Sequence, residues 1–325
     1  MSNESDSERP VAAGLHPIEN GNYRIPTPAI ETFHDLIMRC LRYRIPGALI
    51  YGPSRIGKTR MINLRRDRWI DYPRAVQALE KLQWLFDTPE RERMPCMVLH
   101  GESDIGKTQI IRKFQRQHPP TFDDKKGVDL REIIYVQMPA TPDQHRFYSA
   151  LLFELHAPHS ERASVSTLER LTRELLRRIR PRVLIVDEVH NMLTGSYREQ
   201  RASLNLLKYL ANDLRMAVVL GGTDEANIAL QTDPQMKSRF TPFELPQWRE
   251  NDEFRRLLSA FERVIPLRKA SNLAQRSIVQ YLVSQCNGLT GQLSKILTHA
   301  AELAIGDGTE QITLAHLEQA KRVHA

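Results

Sequence analysis

Short apolar runs alternate along this chain with longer stretches in which apolar residues return every three or four positions. The runs Cys96 to His100, Ile133 to Gln137, Val183 to Val186 and Ala217 to Leu220 lack the polar alternation of a half-exposed strand, so each predicts a strand buried on both faces. Helical spacing is predicted near Ala75 to Phe86, from Thr108 to roughly Arg116, near Gln144 to Leu155, from Ser166 to Ile179 and near Glu199 to Leu214. In the fourth of these, Leu168, Leu171, Leu175 and Ile179 share one face. His118 to Asp129 reads as a loop. Strands alternating with helices predict an α/β fold, a parallel sheet flanked by helices. After Asn251 the strand signals stop, and helical patterns at Asp252 to Val264, Leu273 to Cys286, Gly291 to Ile305 and Leu314 to Val323 predict a small all-helical domain.

The chain also repeats part of itself. A helical pattern around Ile30 to Tyr43 leads through Ile45-Pro46 to a strand at Ala48 to Tyr51 and the loop Gly52 to Thr59. A second helical pattern leads through Met94-Pro95 to the strand at Cys96 and the loop Gly101 to Thr108. Both loops match G-x-x-x-x-G-K-[ST] directly after a strand, the context in which that motif cradles phosphates. Only the second is followed by an apolar strand ending in carboxylates. The first, with Lys58, reads as an orphan duplicate. These boundaries give a polar, disordered tail over 1–22, a partial duplicate over 23–63, a nucleotide-binding domain over 64–250 and a helical lid over 251–325.

In the second loop, Gly101, Glu102, Ser103, Asp104, Ile105 and Gly106 supply backbone N–H groups, and the helix that begins with Lys107, Thr108 and Gln109 directs its positive end at bound phosphate. Lys107 is placed to reach the β- and γ-phosphates of ATP, and the Thr108 hydroxyl to ligate Mg2+. Asp187 closes the strand Val183 to Val186 and is the second magnesium residue. Glu188 follows as the candidate to orient attacking water. Thr223 either touches the γ-phosphate or water, or caps the next helix. Arg239, after a short helical pattern, either stabilises transition-state charge in a neighbouring subunit or is an exposed structural arginine.

The chain has 325 residues, 41% apolar and 26% charged, and no apolar run approaches membrane-spanning length. Neither a membrane segment nor a secretory signal is expected. Cys40, Cys96 and Cys286 have no paired spacing, which suits a reducing cytoplasm. With 46 Lys and Arg against 39 Asp and Glu, the net charge of +7 permits a polyanionic partner without naming one. Seven arginines against three glutamates fall between Glu161 and Arg182; the C-terminal ones read as a solvated face, whereas Arg146 and Arg162, near loop ends, are candidates to meet a DNA backbone.

Together, the segment Leu64-Arg65-Arg66-Asp67-Arg68-Trp69-Ile70-Asp71-Tyr72-Pro73-Arg74-Ala75, the loop at Gly101, Val136-Gln137-Met138-Pro139, Val186-Asp187-Glu188-Val189-His190-Asn191, Gly222-Thr223 and Ser238-Arg239-Phe240 resemble the TniB family of bacterial transposition proteins, relatives of TnsC and MuB within the AAA+ ATPases. The resemblance implies an ATPase that assembles as a homo-oligomeric ring or helical filament on double-stranded DNA, largely without sequence preference, and recruits or activates a DDE-type transposase. It also implies that Arg239 is an arginine finger acting in trans, that Thr223 is the first sensor, and that Trp69 to Tyr72 pass over the adenine. Where many AAA+ proteins place a second sensor arginine, this chain has Gln292, with Lys295 one turn on. The alternatives are a helicase-loader-like AAA+ protein and a non-hydrolysing adaptor on DNA.

Overall fold

The computed structural model describes residues 69–123, 128–141 and 143–322, together with Ile25–Pro26 and Ile50–Tyr51, two-residue strands that pair in parallel. The loop at Lys58 and Leu64 to Arg68 lie outside the described residues. Five strands, β1 (Cys96–His100), β2 (Ile133–Gln137), β3 (Val183–Asp187), β4 (Ala217–Gly222) and β5 (Phe240–Glu244), form one parallel sheet in the order β2-β3-β4-β1-β5.

Strand periodicity of two divides the apolar side chains between two layers. Met97 and Leu99 of β1, Val183 and Ile185 of β3 and Ala217 and Val219 of β4 face one core. Helices α1 (Pro73–Asp87) and α2 (Lys107–Gln117) cover it through Leu82, Leu85, Ile110, Ile111 and Phe114. The alternate residues Val98, Leu184, Val186, Val218 and Leu220 face the other core, under α3 (Gln144–Glu154), α4 (Val165–Ile179) and α5 (Tyr197–Asp213). Burial on both faces explains why β1, β3 and β4 read as uninterrupted apolar runs. Each fully buried aliphatic side chain contributes about 2 kcal/mol.

Two features depart from the sequence reading. Thr121–Asp123 and Val128–Leu130 form a short antiparallel pair inside the expected loop. The strand β5 carries no strand signal of its own, because Pro242 interrupts it. Its position explains the tolerance: β5 is the sheet edge, paired with β1 alone, where a missing N–H costs no ladder bond on the open side.

Between β4 and β5 lie α6 (Asp224–Thr232) and α7 (Pro234–Lys237), and the C-terminal helices are α8 (Asp252–Val264), α9 (Arg276–Cys286), α10 (Thr290–Gly306) and α11 (Leu314–Arg322). The described residues divide into two compact units, one of 69–261 with 272–295 and one of 25–26, 50–51, 262–271 and 296–322. In the second, Ile312 donates its N–H to Ser271 Oγ at 3.0 Å and Gln311 Nε2 donates to Ala270 O at 2.7 Å. Among the described residues, no helix is long and apolar enough to cross a membrane.

Candidate active site

The C-terminal edge of a parallel sheet is where its ligands bind, and Lys107, Thr108, Asp187 and Glu188 meet there. The loop leaves β1 after His100, with Gly101 and Gly106 at φ +149° and +110°, and α2 starts at Lys107. Within the loop Ile105 is buried, while Glu102, Ser103 and Asp104 are exposed; Gln109 on α2 is exposed too. Lys107 Nζ donates to Gly101 O at 2.8 Å and to Glu102 O at 2.9 Å. Burial pushes its pKa down, against the opposing charges of Asp187, Glu188, Asp224 and Glu102.

Thr108 Oγ1 donates to Asp187 Oδ2 at 2.9 Å, and the Tyr135 hydroxyl reaches the same oxygen at 3.3 Å. Asp187 is fully buried, and its Oδ1 accepts the Glu188 N–H at 2.9 Å. A Cβ on Gly221 of β4 would stand 2.5 Å from Asp187 Oδ1, so the carboxylate occupies the space that this glycine leaves. The donor set fits magnesium: a hydroxyl and a carboxylate, both hard oxygens, lie side by side. Glu188 has left-handed backbone, φ 57° and ψ 36°, and its carboxylate meets His190 Nε2 at 3.2 Å.

Thr223 follows β4 at the N-terminus of α6, with no capping bond from its side chain to the helix. A hydrogen bond with it holds the Glu225 carboxyl below the usual carboxylate range. Sequence reading missed three neighbours. His100 Nδ1 pairs with Asp224 Oδ1 at 2.7 Å at the mouth of the loop. Tyr135 touches Asp187, and burial first, then the Asp187 charge, push its phenol up to about 12. His190 holds Glu188. His190 stands inside the Val186 to Asn191 motif and His100 directly before the loop, yet neither carries a role in the sequence reading; Tyr135 is brought in by strand register, which composition does not reveal.

Arg239 is elsewhere. It precedes Phe240, which pairs with Cys96 at the start of β1, whereas the loop follows the far end of that strand. Four strand steps separate the two ends by about 13 Å. Its Nη1 donates to Asn212 Oδ1 at 2.7 Å, and beside it Arg93 Nη2 donates to Ser238 Oγ at 2.8 Å. Arg146 and Arg162 are exposed, away from the loop in sequence and on different segments, α3 and the turn before α4. Tyr72 packs edge-on against Trp248, with ring centroids 5.1 Å apart, and burial pushes its phenol up to about 12.

A family model described as "Bacterial TniB protein" matches residues 60–250, which takes in the sheet, the loop, Asp187, Glu188 and Arg239. The chain belongs to the TniB family. Solved structures add the fold class of this TniB protein. It is similar to Cdc6p from Pyrobaculum aerophilum, with TM-score 0.57 and 18% identity over 79% of this chain and 69% of that one. The ORC1 protein of Aeropyrum pernix, in complex with DNA, gives 0.57 and 15% over 81% and 69%. The ORC2 protein of the same organism, in ADPNP–ADP complexes, gives 0.54 and 16% over 84% and 69%. No curated protein sequence matches the chain. At these identities the likeness establishes the fold, that of Cdc6/ORC-type AAA+ proteins with a helical C-terminal part.

Proposed function

We propose that this TniB protein binds ATP with magnesium at Gly101 to Thr108, hydrolyses it, and assembles on double-stranded DNA to recruit or activate a DDE-type transposase. The observation that carries the reading is the contact of Thr108 Oγ1 with Asp187 Oδ2 at 2.9 Å, which joins the loop to the strand that ends in Glu188. Residues 64–250 form the nucleotide-binding domain in this reading and 251–325 its lid.

Backbone N–H groups and Lys107 hold the phosphates, and Thr108 and Asp187 hold the magnesium. The bound ion supplies neutralisation of charge on the β- and γ-phosphates. Glu188 orients a water for in-line attack on the γ-phosphorus and takes its proton as the bond to the ADP oxygen breaks. Thr223, at the end of the neighbouring strand β4, is positioned for the γ-phosphate or that water. Arg239, about 13 Å along the sheet from its own loop, serves the site of the next subunit. That requires a head-to-tail oligomer, a ring or helix that can surround DNA. The DNA reading is supported by family membership, by the net charge of +7, and by proteins of the same fold solved with DNA.

The test is Glu188→Gln, which keeps size and hydrogen bonding while removing the carboxylate. Nucleotide binding is expected to persist while phosphate release falls at least about 100-fold, and DNA-bound oligomers to last longer. Lys107→Ala is expected to abolish tight binding, whereas Lys58→Ala leaves it nearly intact. Unchanged phosphate release from Glu188→Gln would remove Glu188 from the mechanism.

A further inference from the structure

The phosphate loop of this chain carries an obstacle to its own ligand. Between Gly101 and Thr108 stand two carboxylates, Glu102 and Asp104, against one ammonium, Lys107. The loop by itself is net negative where it must receive a polyanion. Asp104 lies at its apex, with left-handed backbone at φ 63°.

The first two turns of α10 close on that residue. Gly291 donates its N–H to Asp104 O at 2.8 Å, Gln292 Nε2 donates to Asp104 Oδ2 at 3.1 Å, and Lys295 Nζ meets the same oxygen at 2.8 Å. The approach is so tight that a Cβ on Gly291 would lie 3.0 Å from both Asp104 Cγ and its carbonyl oxygen. A side-chain amide and an ammonium of α10 therefore converge on one carboxylate inside the phosphate loop, while the backbone N–H of Gly291 holds the carbonyl of the same residue. Both side chains are about half exposed, 52% for Lys295 and 44% for Asp104, so a lysine released from this pair has open solvent beside it.

We propose that Lys295 serves nucleotide binding through Asp104, by neutralising a carboxylate in the phosphate loop, and not by touching the phosphates itself. This rests on the reading of Gly101 to Thr108 as the nucleotide site. Lys295 is then a positioning and charge-compensating residue. Its role exists only while residue 104 is ionised, which gives the pair a signature in a double-mutant cycle.

The experiment measures equilibrium binding of ATP, ADP and adenosine to the full chain as wild type, Lys295→Ala, Asp104→Asn and the double variant. Asparagine tolerates the left-handed backbone and still accepts from Gln292. Lys295→Ala alone is expected to weaken ATP about fivefold, ADP less and adenosine not at all, because the uncovered charge acts on phosphates. The loss is expected to shrink as salt rises. In the Asp104→Asn background the same lysine substitution is expected to have no further effect. The ratio of ATP to adenosine affinity within each protein separates charge from folding. A loss that persists in the Asp104→Asn background would mean that Lys295 contacts phosphate directly and would overturn the proposal, as would no loss in Lys295→Ala. Failure of wild type to bind ATP would instead overturn the nucleotide reading on which it rests.

Discussion

Thr108 and Asp187, 79 residues apart in the chain, are joined by a 2.9 Å hydrogen bond at the C-terminal edge of the sheet. The bond sets the hydroxyl and the carboxylate at the spacing a shared cation requires, and Gly221 keeps the space open. Gly221→Ala is therefore expected to push Asp187 away from Thr108, costing about 1–3 kcal/mol in stability and suppressing magnesium-dependent ATP turnover far more than the stability loss explains. Thermal unfolding and phosphate release measured on the same preparation check it. Wild-type turnover in a folded Gly221→Ala protein would show that Asp187 has no tightly fixed role.

The parts of this arrangement legible in the sequence are those coded locally. The central strands β1, β3 and β4 are buried on both faces, so each announces itself as an apolar run. The loop announces itself by its glycines and Lys107-Thr108. The edge strand β5 did not, since its order comes from pairing with β1 and its sequence contains Pro242. His100 and Tyr135 were silent as site neighbours, and Lys295 was marked only by its place near a second sensor position, not by any link to Asp104. Register sets Gln137 opposite Asp187 and so brings Tyr135 close, and the packing of α10 against the loop brings Lys295 to Asp104. Such contacts depend on tertiary distance, and no spacing along the chain encodes them.

Asp213 ties α4 to α5: Arg173 Nε and Arg177 Nη2 reach its two oxygens at 2.9 and 2.7 Å. The Arg173 hydrogen bond, above all, holds its carboxyl below the ordinary value of 3.8. A depressed folded pKa means that the ionised form stabilises the fold, fully above the unfolded value and progressively less as pH falls through the folded one. Asp213→Asn is expected to cost about 1–2 kcal/mol at neutral pH and almost nothing once the pH lies below the folded pKa. Denaturant midpoints of both proteins across that acid range decide it; a pH-independent difference would mean that packing, not charge, is what Asp213 supplies.

Arg239 is held by Asn212, the neighbour of Asp213 at the end of α5, and lies at the opposite end of β1 from the loop. If it completes the next subunit's site, Arg239→Ala and Lys107→Ala are each expected to lose ATP turnover by more than about 100-fold. Mixed, they are expected to regain part of it, because some junctions then pair an intact loop with an intact arginine. Steady-state phosphate release against mixing ratio gives the answer. Strict additivity, with no recovery at any ratio, would place Arg239 outside the neighbour's site.

The last expectation concerns DNA, where the pairing of arginines in the structure separates candidates from bystanders. Arg173 and Arg177 are committed to Asp213, and Arg178 to Glu174, so the basic face of α4 is largely neutralised by its own partners. Arg146 and Arg162 are exposed and remain the candidates to meet phosphate. Each contacting arginine displaces counterions from the duplex, so replacing it is expected to flatten the slope of log affinity against log salt by about one unit, equally for unrelated sequences. Arg173→Ala is expected to leave that slope unchanged. A slowly hydrolysed ATP analogue is expected to raise affinity by promoting assembly, and Arg239→Ala to cancel the gain without altering the slope, since it joins subunits and does not touch DNA. Salt titrations of duplex binding, with and without the analogue, measure all of these. Affinity indifferent to both salt and nucleotide would sink assembly on DNA as the purpose of the ATPase, and would point its output at a protein partner instead.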